Sequence, residues 1–197
     1  MEYIINLISL TSIIILIIWL CLNLPVINQT NWLIKLIFSL ILVAVCIYIP
    51  IYHGFNLVKF IRGSTGDLSI TSFFVLIILV IEDLFNLEIP VFNLKITLTL
   101  FLITTFLYLA TFAIIPLDIY SIGYNPKYWL VAFIVIEMYF WYNSKIFAII
   151  WLFGLIGFYF KLQESTNLWD YLVDPILYLI IFNQIITKLT IKKSPKN

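Results

Sequence analysis

Four stretches of this chain, residues 3–34, 36–58, 96–117 and 146–160, contain no Asp, Glu, Lys or Arg. A soluble fold of this size does not leave such runs in water, whereas a bilayer asks for roughly 20 mostly apolar residues per spanning helix. With 63% hydrophobic and 11% charged residues over 197 positions, and a mean hydropathy of +1.11, nearly all of the chain belongs in or against hydrocarbon. The expected fold class is all-α, a polytopic integral membrane helical bundle. The net charge of +1 comes from scattered residues, which excludes the clustered basic face of a nucleic-acid binder.

Pro, Asn, Gly and charged residues cut the chain into seven apolar segments, at about 4–24, 32–52, 68–87, 95–116, 128–142, 146–160 and 174–190. The fifth and sixth are short for a hydrocarbon core of about 30 Å. They read as short spans, a re-entrant pair or interfacial helices, so five or six crossings are the alternatives to seven. Asp174 followed by Pro175 reads as an N-cap and N1 pair, and Asp67 is expected to cap the third segment in the same way. Met1-Glu2-Tyr3 lacks a basic leader, and the first apolar run reads as a retained helix.

With the N-terminus outside and seven crossings, Lys35, Lys95, Lys145, Lys188, Lys192, Lys193 and Lys196 fall inside, against Lys59, Arg62, Lys127 and Lys161 outside. The positive-inside bias therefore places the C-terminus inside. Organisation is read as one transmembrane domain over 1–190 and a short basic cytoplasmic tail over 191–197. Tyr128, Trp129, Trp169 and Tyr171 fall at segment ends, where amphipathic rings anchor at the interface. Usage rich in Ile, Asn and Lys suggests an AT-rich genome, pointing to a bacterial inner membrane, with an organelle inner membrane as the alternative. Cys21 and Cys46 are expected at opposite ends of their helices, too far apart for a disulfide.

This topology puts the three most polar loops, 53–67, 116–127 and 161–174, on one outer face. In the first, Lys59, Arg62, Ser64, Thr65 and Asp67 form a candidate anion site: Gly63 and Gly66 free backbone amides, and Arg62 supplies a fork. The competing reading is a tight turn with the two basic side chains reaching to headgroups. GxxxxGK[ST] is absent. His53, Asp118 and Asp170 are the candidate catalytic groups, as base, proton carrier or orienting carboxylate; the plainer reading makes them loop and helix-end residues. His53 is the single histidine, so no multi-histidine metal site can form, and neither metal nor cofactor is expected. Glu137 stands inside the fifth segment, where an ionisable group usually faces the bundle interior or a partner. Gly154 and Gly157 read as packing positions.

No string is long enough to carry a family resemblance. Two functions follow from these residues. One is a non-enzymatic accessory or structural subunit of a membrane complex, held to partner subunits and the lipid bilayer by apolar helix faces. The other is an outward-facing transporter, or a membrane-embedded transferase or hydrolase, acting on an anionic or lipid-linked substrate.

Overall fold

The computed structural model describes residues 2–191 apart from His53. His53 and the tail from Lys192 onward, both singled out by the sequence, lie outside the described residues. Everything described is helix, turn or loop except one small hairpin, so the chain is all-α. The elements are α1 (Glu2–Leu22), α2 (Pro25–Asn28), α3 (Trp32–Tyr48), the strands β1 (Pro50–Tyr52) and β2 (Phe55–Asn56), α4 (Leu57–Thr65), α5 (Ile70–Phe85), α6 (Leu94–Thr111), α7 (Leu130–Asn143), α8 (Lys145–Tyr159), α9 (Trp169–Leu172) and α10 (Pro175–Ile191). Each of the seven apolar segments is a helix, most of them shortened at the ends. Among the described residues, α1 and α6 are long and apolar enough to cross a membrane, while α3, α8 and most of α7 and α10 are apolar but shorter.

Helix starts follow from local chemistry. Asn31, Asn56 and Asn93 each accept from the backbone N–H three residues on, at 2.9–3.0 Å, satisfying one of the orphan donors of the first turn in α3, α4 and α6. Ser144, the single residue between α7 and α8, caps α8 through Phe147 N. Asp174 accepts from Leu177 N at 2.7 Å beside Pro175, as its position in the sequence implies.

The chain forms two compact units. Among the described residues, the first comprises those up to 68 together with 72–89 and 162–164, and the second 69–71, 90–161 and those from 165 onward. In the first unit, Ile18 and Leu22 of α1 pack with Leu84 of α5, and Ile27, Leu42 and Val43 close around them. The β1–β2 hairpin is antiparallel, pairing Pro50 with Asn56 and Tyr52 with Phe55. In the second unit α6 packs on α10 and α7 folds back on α8. Phe101 stacks on Tyr178 at 5.5 Å, and Phe140 meets Phe147 and Trp151 edge-on at 5.0 and 5.1 Å.

Candidate functional site

The loop expected over 53–67 is largely the helix α4. Arg62, Gly63, Ser64 and Thr65 are helical, and the Ser64 and Thr65 hydroxyls donate back to the Phe60 and Ile61 carbonyls at 3.2 and 3.1 Å. The chain leaves α4 through Gly66 at φ 75°, a left-handed conformation that glycine adopts without a Cβ clash, and Gly66 N donates to Arg62 O. Asp67 does not cap α5. Its carboxylate faces Arg62 instead, with Nε to Oδ1 at 2.7 Å and Nη2 to Oδ2 at 3.4 Å. The guanidinium also donates from Nη1 to Asn6 Oδ1 at 2.8 Å and from Nη2 to Glu164 Oε1 at 2.9 Å. One arginine thus ties α1, α4 and residues 162–164 together. Next to Glu164, the buried Gln163 side chain donates to the Leu68 carbonyl.

The hydrogen bond to Asp67 raises the Arg62 pKa above its ordinary value, aided by the Asp67 and Glu164 charges and opposed by desolvation. The fork proposed from the sequence for an anion is therefore filled by the chain's own carboxylates. Lys59 is exposed on α4.

A second polar cluster of the first unit lies at the end of α5. Lys35 is fully buried, and its ammonium donates to the Asp83 carbonyl at 2.6 Å and to Asn86 Oδ1 at 3.0 Å. Asn86 takes φ 52° just past the helix, and the lysine supplies positive charge where the α5 dipole ends in free carbonyls. Asn23 donates to Asp83 Oδ2 at 2.7 Å. The sequence assigned Lys35 only to the inner charge count; no local signal marks its partners, 48 and 51 residues away.

In the second unit, residues 165–174 are stitched to the turns at 118–124. Tyr120 OH reaches both Asp170 oxygens, at 2.9 and 3.0 Å, and the Ser165 hydroxyl donates to Asp170 Oδ2. Buried Asn167 donates to Tyr120 O, Trp169 Nε1 donates to Ile119 O, and Leu168 N donates to Gly123 O. Burial first, then the hydrogen bond to and charge of Asp170, push the Tyr120 phenol above its ordinary pKa. Asp118 is exposed and accepts from Ser121 N at 3.1 Å. Asp174, besides capping α10, accepts from Ser69 N at 2.6 Å. Gly154 lies against Leu172, Thr71 and the Tyr171 carbonyl, and Gly157 against Ile70, so the small residues of α8 admit close packing as their spacing suggests.

Glu137 is half-buried midway along α7. Four buried side-chain atoms among the described residues lack hydrogen-bond partners: Ser9 Oγ, Tyr108 OH, Trp151 Nε1 and Glu137 Oε2. Of these residues only Glu137 lines the cavity that the α7–α8 hairpin holds. No group of three or more His, Cys, Asp or Glu side chains able to hold a metal ion occurs among the described residues, where both cysteines are free.

Comparison with protein-family models, with curated proteins and with solved structures finds no match.

Proposed function

We propose that this chain is a multi-pass inner-membrane protein acting as a non-enzymatic accessory or structural subunit of a membrane complex. The observation that carries the reading is the inversion of α3. Its buried positions are Lys35, Ser39 and Cys46, while Ile37, Leu40 and Ile41 are 56%, 63% and 58% exposed. In water this arrangement would forfeit apolar burial and still desolvate a lysine. In hydrocarbon the apolar face is the solvated one and polar groups belong inside. Hydroxyl side chains are also drawn inward in α1, where Ser9 and Ser12 are buried beside Ile13 and Leu16, and in α6, where Thr97 and Thr104 are buried beside Ile96 and Leu100 while Leu98, Leu102 and Phe106 are exposed.

The polar groups that motivated a catalytic or transport reading support a structural role instead. Arg62, Asp67 and Asp170 are each engaged by the chain itself. That leaves the apolar outer faces as the surface offered to lipid and to partner subunits. The N-terminus lies outside and the C-terminus inside in this reading. At 14 and 15 residues, α7 and α8 are about 21 and 22 Å long, so they cross as short spans or dip in as a re-entrant hairpin. Either way the side of the C-terminus is the same, since the pair adds two crossings or none.

The test is side-specific thiol labelling in intact cells, with single cysteines at Thr65, Tyr120 and Thr166 and controls at Asn28, Asn93 and Asn143 in a cysteine-free background. The first three should react with an impermeant reagent and the controls should not. Release of the chain by alkaline extraction would refute membrane integration itself. For the subunit role, native gels of gently solubilised membranes should show a larger assembly that Leu40→Lys disperses and Lys59→Ala or Asp118→Ala leaves intact. Migration of the wild type as a lone chain would overturn it.

A further inference from the structure

The α7–α8 hairpin turns where α6 begins. Asn93, the α6 cap, donates from Nδ2 to Asn143 O at 2.6 Å, and the Ser144 hydroxyl donates to Val91 O at 3.0 Å. Lys188, near the far end of α10, donates to Phe92 O in the same stretch at 2.8 Å. Lys95 and Lys145 stand exposed at this level, and an exposed ammonium inside hydrocarbon is costly. At the opposite end Phe133 of α7 meets Trp169 at 5.6 Å, and Phe158 of α8 meets Tyr171 at 5.4 Å. Trp169 Nε1 donates to Ile119 O at 3.1 Å and Leu168 N to Gly123 O at 2.9 Å, both beyond the end of α6. In the second unit α6, α7, α8 and α10 therefore run between the same two ends. A re-entrant pair turns inside hydrocarbon, whereas this one turns level with the start of α6, the longest of the four.

The outward side chains of α7 mark how far apart those ends lie in a membrane. Tyr128 and Trp129 lead into the helix, Trp141 and Tyr142 close it, and all four rings are exposed. Between the two pairs the exposed Val131, Ile134, Val135 and Met138 are apolar. Amphipathic rings settle at headgroup level on both faces of a bilayer, and the two pairs lie about 20 Å apart along the helix. A typical hydrocarbon core is about 30 Å thick, and tilt only shortens the span. A span shorter than its bilayer draws the two headgroup layers together. We infer that α7 and α8 each cross completely, and that the outer face of the hairpin is a surface for lipids with short acyl chains, where the bilayer thins to about 20 Å. A protein partner on this face would have to match phenol and indole edges at two separate levels. Headgroups and interfacial water supply those hydrogen bonds at both. Resting on the multi-pass reading, this assignment makes the pair two crossings and not none.

The test reconstitutes the purified chain in vesicles with a nitroxide on a single cysteine at Val131, Val135 or Tyr142, in the cysteine-free background. Collisions with oxygen and with a water-soluble nickel chelate report depth. The oxygen-to-nickel ratio should rise severalfold from Val131 to Val135 and fall again by Tyr142, in dioleoyl as in dilauroyl phosphatidylcholine. A ratio that keeps climbing to Tyr142 is the signature of a re-entrant hairpin and overturns the crossing alone. Nickel access at all three sites overturns the multi-pass reading as well. Ends that report severalfold deeper in the dioleoyl host than in the dilauroyl host would show that the bilayer does not thin. Lipid choice is read from a fluorophore at Val135 quenched by a small fraction of doxyl-labelled phosphatidylcholine. Quenching should be about twofold weaker in the dilauroyl host, because the short lipid displaces the quencher. Equal quenching in the two hosts refutes the preference, and a Val135 label reached by neither oxygen nor the doxyl lipid assigns the face to a second copy of the chain instead. All three positions are exposed, so the labels leave the packed core untouched.

Discussion

Replacing Arg62 by alanine tests whether its cluster is a structural clamp or a ligand site. The guanidinium and the Asp67 carboxylate are 20% and 17% exposed and meet at 2.7 Å, so their hydrogen-bonded pair is worth about 1.5–3 kcal/mol. The bond to Asn6 adds about 1 kcal/mol. Glu164 is 71% exposed, and its pair contributes between zero and about 1 kcal/mol, screened further by salt. Together these give a loss of about 3 kcal/mol for Arg62→Ala, with Asp67→Asn costing roughly 2 and Glu164→Gln under 1. Arg62→Lys should fall between, since a point charge can hold Asp67 but not bridge all three partners. Denaturant unfolding in micelles, followed by tryptophan fluorescence, measures these values. Double-mutant cycles should return a large coupling for Arg62 with Asp67 and a small one for Arg62 with Glu164. Stability of Arg62→Ala within about 0.5 kcal/mol of wild type, or a Glu164 coupling as large as that of Asp67, would refute the clamp.

Other perturbations check the remaining clusters. A Cβ placed on Gly123 would sit 1.8 Å from Asn167 Oδ1 and 2.8 Å from the Trp169 ring, so Gly123→Ala should destabilise more than Gly63→Ala, where the space is open; thermal unfolding of the two variants makes the comparison. Lys35→Leu removes the donor from the Asp83 carbonyl and Asn86 and should cost about 2 kcal/mol, whereas Lys95→Leu should be near neutral in the same assay. Tyr120 is raised in the folded chain, so the unfolded chain ionises first. Its contribution is complete below the ordinary phenol value of about 10 and is lost as pH climbs through the raised one. The stability gap between wild type and Tyr120→Phe should therefore narrow above pH ~10 and stay level from pH 7 to 9.

The seven long helices were legible because their signal is local. Apolar runs bounded by Asn, Pro and acidic residues declare their own ends, as Asp174-Pro175 does for α10. Residues 62–65 misled for the same reason: Gly, Ser and Thr are weak helix formers, yet Val58 is buried, Arg62 is held by α1 and residues 162–164, and the segment stays helical. The identity of the polar residues was likewise on the page, and their partners were not. Arg62 with Glu164 spans 102 positions, Lys35 with Asn86 spans 51, and Tyr120 with Asp170 spans 50. Composition alone decides that such a chain must sort apolar from polar surface, since transfer free energy depends on residue type. Which carboxylate neutralises which cation is decided only where helices pack, because hydrogen bonds act over about 3 Å and carry no trace in local spacing.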